Sequence, residues 1–64
     1  MNELLKSNED GILTLTLNRP EKRNALNDSL IEDLKSAFRT AGDEKSLRVI
    51  VLRGAGKDFC SGAD

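Results

Sequence analysis

The sequence predicts an α/β fold in the order strand, strand, helix, strand. Three observations carry this: the alternation in ILTLTL, the recurrence of leucine at helical spacing after position 26, and the unbroken apolar run VIVL late in the chain.

ELLKS and ILTLTL flank the segment NEDG, in which Asp10-Gly11 supplies residues that accept positive φ. That combination reads as a β-hairpin. In its second strand Leu13, Leu15 and Leu17 fall on one face and Thr14 and Thr16 on the other. Pro20 has no N–H to give to a ladder and holds Arg19 extended, so the strand ends there. Leu26, Leu30, Leu34, Phe38 and Ala41 then recur at spacings of four, four, four and three, one stripe of a helix. Ser29 and Glu32 fit a capping box at its start, with Asn27 or Asp28 as alternative caps, and Gly42 suits its end. Val49, Ile50, Val51 and Leu52 form a run typical of a strand covered on both faces. The second and third strands, joined through the helix, are expected to be parallel, with a right-handed crossover.

One helix cannot cover both faces of such a strand. The second layer is expected from another copy or from further sequence, so residues 1–64 read as a piece of a domain. A chain of 64 residues is in any case marginal, burying only about 60% of its unfolded surface.

Composition excludes several functions. Ten basic residues against eleven acidic ones leave a net charge of -1, which gives no electrostatic reason to expect nucleic acid or an anionic membrane as partner. Phe38 and Phe59 are the only aromatic residues, too few for a base-stacking platform. No apolar run approaches a membrane span, and MNELLKSNEDG has neither a signal-peptide core nor a transit-peptide pattern. Cytoplasm is the expectation. Cys60 is the single cysteine and histidine is absent, so neither an internal disulfide nor a zinc site is expected. Without a histidine to activate it, Cys60 reads as a small half-buried filler.

GAGKDFCSG follows a strand and resembles a phosphate loop only superficially. Val51 stands where a Walker loop needs glycine, and Asp58 where it needs Ser or Thr for magnesium. Phe59 replaces the third glycine of a dinucleotide fingerprint. Lys22 and Arg23, in RPEKRNAL, are candidates for meeting phosphates, although a short mixed-charge turn is usually just solvated. In SGAD, Gly62 allows a sharp turn, Ala63 leaves its own N–H unobstructed, and Asp64 is a strong helix cap. A strand, a small-residue turn and a helix start can together present free N–H groups to an anion or a developing oxyanion.

Two of these segments together, NRPEKRNAL (Asn18 to Leu26) and DFCSGAD (Asp58 to Asp64), resemble the enoyl-CoA hydratase/isomerase, or crotonase, family. The resemblance covers nearly the whole chain and is specific for the family rather than for a member. It implies the N-terminal ββαβ portion of a crotonase-like fold of repeated ββα units, with the rest of the domain absent. It also implies an acyl-CoA thioester as substrate, with coenzyme A as part of that substrate, and a thioester enolate stabilised by two backbone N–H groups. Ala63 matches the position of one donor. Lys22, Arg23, Asn24, Ala25 and Leu26 match the loop against the adenosine and phosphate end of coenzyme A, and Ser61, Gly62 and Asp64 match the lining of the thioester channel. The second donor and the two glutamates of hydratases belong to sequence beyond position 64, so Glu21, Glu32 and Glu44 receive no role.

The expected activity of the full-length parent is therefore hydration of a 2-enoyl-CoA in a trimer or pair of trimers, the 64-residue chain alone being inactive. A carboxylate terminus at Asp64 would oppose developing negative charge beside Ala63. Two other readings stand beside it: a non-catalytic, self-associating or binding module, and another crotonase reaction such as isomerisation, dehalogenation or decarboxylation.

Overall fold

The computed structural model describes residues 2–63. The elements follow in the expected order: β1 (Leu4–Glu9), β2 (Ile12–Leu17), a short 3-10 turn (Pro20–Lys22), α1 (Asp28–Gly42) and β3 (Val49–Gly54). They form one three-stranded sheet, ordered β1-β2-β3, with β1 antiparallel and β3 parallel to β2.

Glu9 pairs with Ile12, which leaves Asp10 and Gly11 as a two-residue hairpin turn. Both have positive φ, 53° and 80°, matching the right-handed twist of the flanking strands. A side chain at position 11 would be strained twice over, because a Cβ there would lie 2.9 Å from Ser46 O.

The alternation in β2 is carried out in full. Leu13, Leu15 and Leu17 are buried, and Thr14 and Thr16 are half-buried on the other face. With Leu4 they form the sheet's side of the core, onto which α1 lays Leu30, Ala37 and Ala41; Leu26, Leu34, Leu47 and Cys60 pack at its edge.

The helical stripe differs from the expected one in two members. Leu26 lies ahead of the helix, and Phe38 is exposed. At about 100° per residue, a strict four-residue repeat turns about 40° per step, so by Phe38 it has rotated off the core direction that Leu30 defines. Positions seven and eleven after Leu30 return to within about 20° of it, and these are Ala37 and Ala41. Of the three candidate caps, Asn27 is the one used: its Oδ1 accepts from the Leu30 N–H at 2.8 Å. Its Nδ2 donates to Glu3 Oε2 at 3.2 Å, tying the start of the helix to the residue before β1.

Arg19 is not fully extended, at φ -128° and ψ 57°. Its carbonyl is turned to accept from the N–H groups of both Lys22 and Asn24, which closes the turn over Pro20. At the other end of the sheet's order, Val49, Ile50, Val51 and Leu52 are each 39–51% exposed, since β3 is an edge strand and the buried face of α1 packs on β1 and β2.

Candidate functional site

The two segments singled out by sequence, forty residues apart at their starts, meet at the C-terminal ends of β2 and β3. The parallel ladder runs Leu17 beside Gly54 and is extended by the Ala55 N–H donating to Leu17 O at 2.8 Å. Chain leaving both strands therefore emerges on the same side. Glycine is required at 54 because a Cβ there would collide with Phe59 O and Asp58 O and lie 2.7 Å from Asn24 Nδ2. Gly56, at φ 79°, turns the loop so closely over Pro20 that a Cβ would sit 3.1 Å from the proline Cβ.

Asn24 is fully buried, and its side chain is spent inside the chain. Oδ1 accepts from the Arg19 N–H at 2.8 Å, and Nδ2 donates to Ala55 O at 2.9 Å and to Asp58 O at 2.6 Å. Asparagine suits the place, because its φ is 58° and it tolerates the left-handed region better than most residues. Arg23, also left-handed at φ 54°, sends its side chain outward, 71% exposed, with Nε 3.4 Å from Asp58 Oδ2. Lys22 is exposed. Its carbonyl accepts from the Ala25 N–H at 3.0 Å and from Ser61 Oγ at 3.4 Å.

The oxyanion candidate sits one step further on. The Leu26 N–H donates to Gly62 O at 2.8 Å, forming a single parallel bridge between Leu26 and Ala63. That bond uses the carbonyl before Ala63 and leaves the Ala63 N–H without an acceptor among the described residues. Gly62 has φ 120°, a conformation side chains rarely adopt, and open space around its α-carbon. Cys60 is half-buried, and its Sγ accepts from the Gly62 N–H at 3.4 Å. Asp64 lies outside the described residues.

Lys22, Arg23, Asn24, Ala25, Leu26, Ser61, Gly62 and Ala63 are thus brought to one end of the sheet. Sequence reasoning missed two scaffold residues there. Arg19 is buried, with Nε 3.2 Å from Glu3 Oε2 and Nη1 donating to Ala25 O. Nothing local marks Glu3 as its partner, because the pair forms across strands. Among the described residues no group of three His, Cys, Asp or Glu side chains is placed to hold a metal, and no helix is long and apolar enough to cross a membrane.

Residues 7–64 match the family model described as enoyl-CoA hydratase/isomerase. The chain belongs to that family. Among relatives, it is 56% identical over 55 residues to the Mycobacterium bovis protein named "Probable enoyl-CoA hydratase echA6", covering 86% of this chain and 22% of the relative. It is 39% identical over 64 residues to the Escherichia coli 1,2-epoxyphenylacetyl-CoA isomerase, covering all of this chain and 24% of that protein. Among solved structures, enoyl-CoA hydratase EchA1 from Mycobacterium marinum superposes with a TM-score of 0.95 at 36% identity, over 98% of this chain and 26% of that one. The fold is accordingly an α/β piece of the crotonase fold, and the chain spans about a quarter of the length of the family relatives it matches.

Proposed function

We propose that the complete protein carrying residues 1–64 is an acyl-CoA enzyme that adds water across the double bond of a 2-enoyl-CoA thioester. Its substrate would lie across the end of the sheet, the nucleotide by Lys22 and Arg23 and the thioester carbonyl at the Ala63 N–H. The observation that carries this reading is the bridge between Leu26 and Ala63, which puts the basic loop and an unspent N–H side by side. Polarised by such a donor and a second one from outside this segment, the thioester would hold negative charge on oxygen, and the barrier to attack at the β-carbon would fall. A lost donor costs about a hundredfold to a thousandfold in other oxyanion holes. Hydration is preferred to isomerisation because hydratase is the commoner name among the relatives, one of which is a 2,3-dehydroadipyl-CoA hydratase. No metal is needed, coenzyme A enters only as part of the substrate, and the enzyme would work in the cytoplasm as a trimer or pair of trimers.

The test is crotonyl-CoA hydration by the complete protein and its Ala63→Pro variant. Proline removes the N–H, and Gly62 is the residue best able to precede it. A fall in kcat of about a hundredfold or more is expected, with CoA binding retained. Undiminished turnover in the variant would exclude Ala63 as a donor, and a wild type with no activity on enoyl-CoA would exclude the reaction.

A second reading rests on the exposed apolar run of β3: residues 1–64 as a self-associating module without chemistry, binding a partner or coenzyme A. It requires an oligomer of defined size and no turnover.

A further inference from the structure

Asn24 has no exposed surface, yet its hydrogen bonds join three separate stretches of chain. It holds the chain just past β2 through the Arg19 N–H, and both Ala55 and Asp58 in the loop that leaves β3. Two residues later, the Leu26 N–H holds Gly62 O. The stretch from Asn24 to Leu26 is therefore the strap between the basic loop and the turn that carries Ala63. Both Nδ2 hydrogens are committed inside the chain, Oδ1 already accepts one bond, and the residue has no exposed surface, so any influence on chemistry must pass through the loops it joins.

We infer that Asn24 is a positioning residue that fixes the distance between the coenzyme A grip at Lys22 and Arg23 and the oxyanion donor at Ala63. The inference rests on the function proposed above and adds a residue that acts through others. Few substitutes reproduce the tie. Aspartate is the same size but would set a carboxylate oxygen against the Ala55 and Asp58 carbonyls in place of a donor. Alanine would leave those carbonyls and the Arg19 N–H without their partner.

A substrate held at both ends is sensitive to slack between them, since a displacement of about 1 Å can cost on the order of a hundredfold in rate. A substrate held only at the thioester is not. The experiment compares kcat/KM for crotonyl-CoA with that for the crotonyl thioester of N-acetylcysteamine, which lacks the nucleotide, in the complete wild-type protein and in Asn24→Ala. The expected result is a loss of about tenfold or more on crotonyl-CoA and a change within about twofold on the short thioester. Equal losses on both substrates would mean general structural damage and would overturn the inference, as would no loss on either.

If the variant does not fold, hydrogen exchange of the wild type decides. Free coenzyme A is expected to slow exchange at Arg19 and across residues 55–58 together with residues 22–26. Protection confined to residues 22–26 would overturn the inference. A wild type that neither binds coenzyme A nor turns over either thioester refutes the proposed function itself and takes this inference with it, whereas the substrate-dependent outcomes bear on Asn24 alone.

Discussion

Lys22, Arg23 and Asn24 are consecutive, and their side chains do opposite things. Asn24 turns inward and is consumed; Arg23 turns outward, and its one described partner is Asp58 at 3.4 Å. An exposed pair of that length contributes little to stability, so the guanidinium can exchange Asp58 for a phosphate at small cost. Replacing both Lys22 and Arg23 with alanine is expected to raise KM for crotonyl-CoA about tenfold, leave the melting temperature nearly unchanged, and matter less as salt is raised. Asp58→Asn, which removes the competing carboxylate, should move KM the other way. Steady-state kinetics at low and high ionic strength check both, and an unchanged KM in the double variant would remove these side chains from phosphate binding. The sequence presents Lys22 to Leu26 as one ligand-binding run. It does not distinguish the residues that face out from the one that faces in, because that division depends on carbonyls at Ala55 and Asp58, more than thirty residues away.

At the scale of elements, legibility follows how local the determining interaction is. The hairpin was readable from Asp10-Gly11 because the positive φ angles are a property of those residues. The helix was readable as a helix, but not its cap. Asn27, Asp28 and Ser29 all carry a suitable oxygen, and Asn27 is the one that also reaches Glu3 from its amide nitrogen. This has a measurable consequence. Asn27→Ala is expected to cost about 1 kcal/mol in stability, as loss of an N-cap does elsewhere. Ser29→Ala, at an exposed position, should stay within about 0.5 kcal/mol. Leu30→Ala, at the centre of the core, should cost about 2–5 kcal/mol. Urea midpoints at constant m-value rank the three, and a larger loss for Ser29 than for Asn27 would restore the capping box. The core stripe was half legible for a related reason: a four-residue repeat resembles a helix's apolar face over two turns and drifts off it over three, which is why Phe38 points away and two alanines take its place.

For the whole molecule, the decisive feature is the cover that β3 lacks within residues 2–63. By register Ile50 and Leu52 lie on the helix side with Leu13 and Leu15, while Val49 and Val51 lie on the other side with Ile12 and Thr14. Exposed Ile12 joins Val49 and Val51 in an apolar patch on that face at the β2–β3 end, while exposed Leu5 stands apart from it on β1, opposite Thr16. What covers it could not be read from the run VIVL, since a doubly apolar strand records only that cover is needed. Water is a poor answer for such a surface on an edge strand, which also offers an unpaired row of backbone groups. The 64-residue chain by itself is therefore expected to associate with copies of itself, its sedimentation coefficient rising with concentration. Lysine at an edge strand opposes such pairing, so Val49→Lys with Val51→Lys should return the chain to a monomer without touching the buried leucines. If Ile50→Lys with Leu52→Lys is the pair that does so, association runs over the helix side instead. A wild-type chain that stays monomeric at every concentration would show that exposure of this face is tolerated, and the self-associating module would no longer stand beside the enzyme.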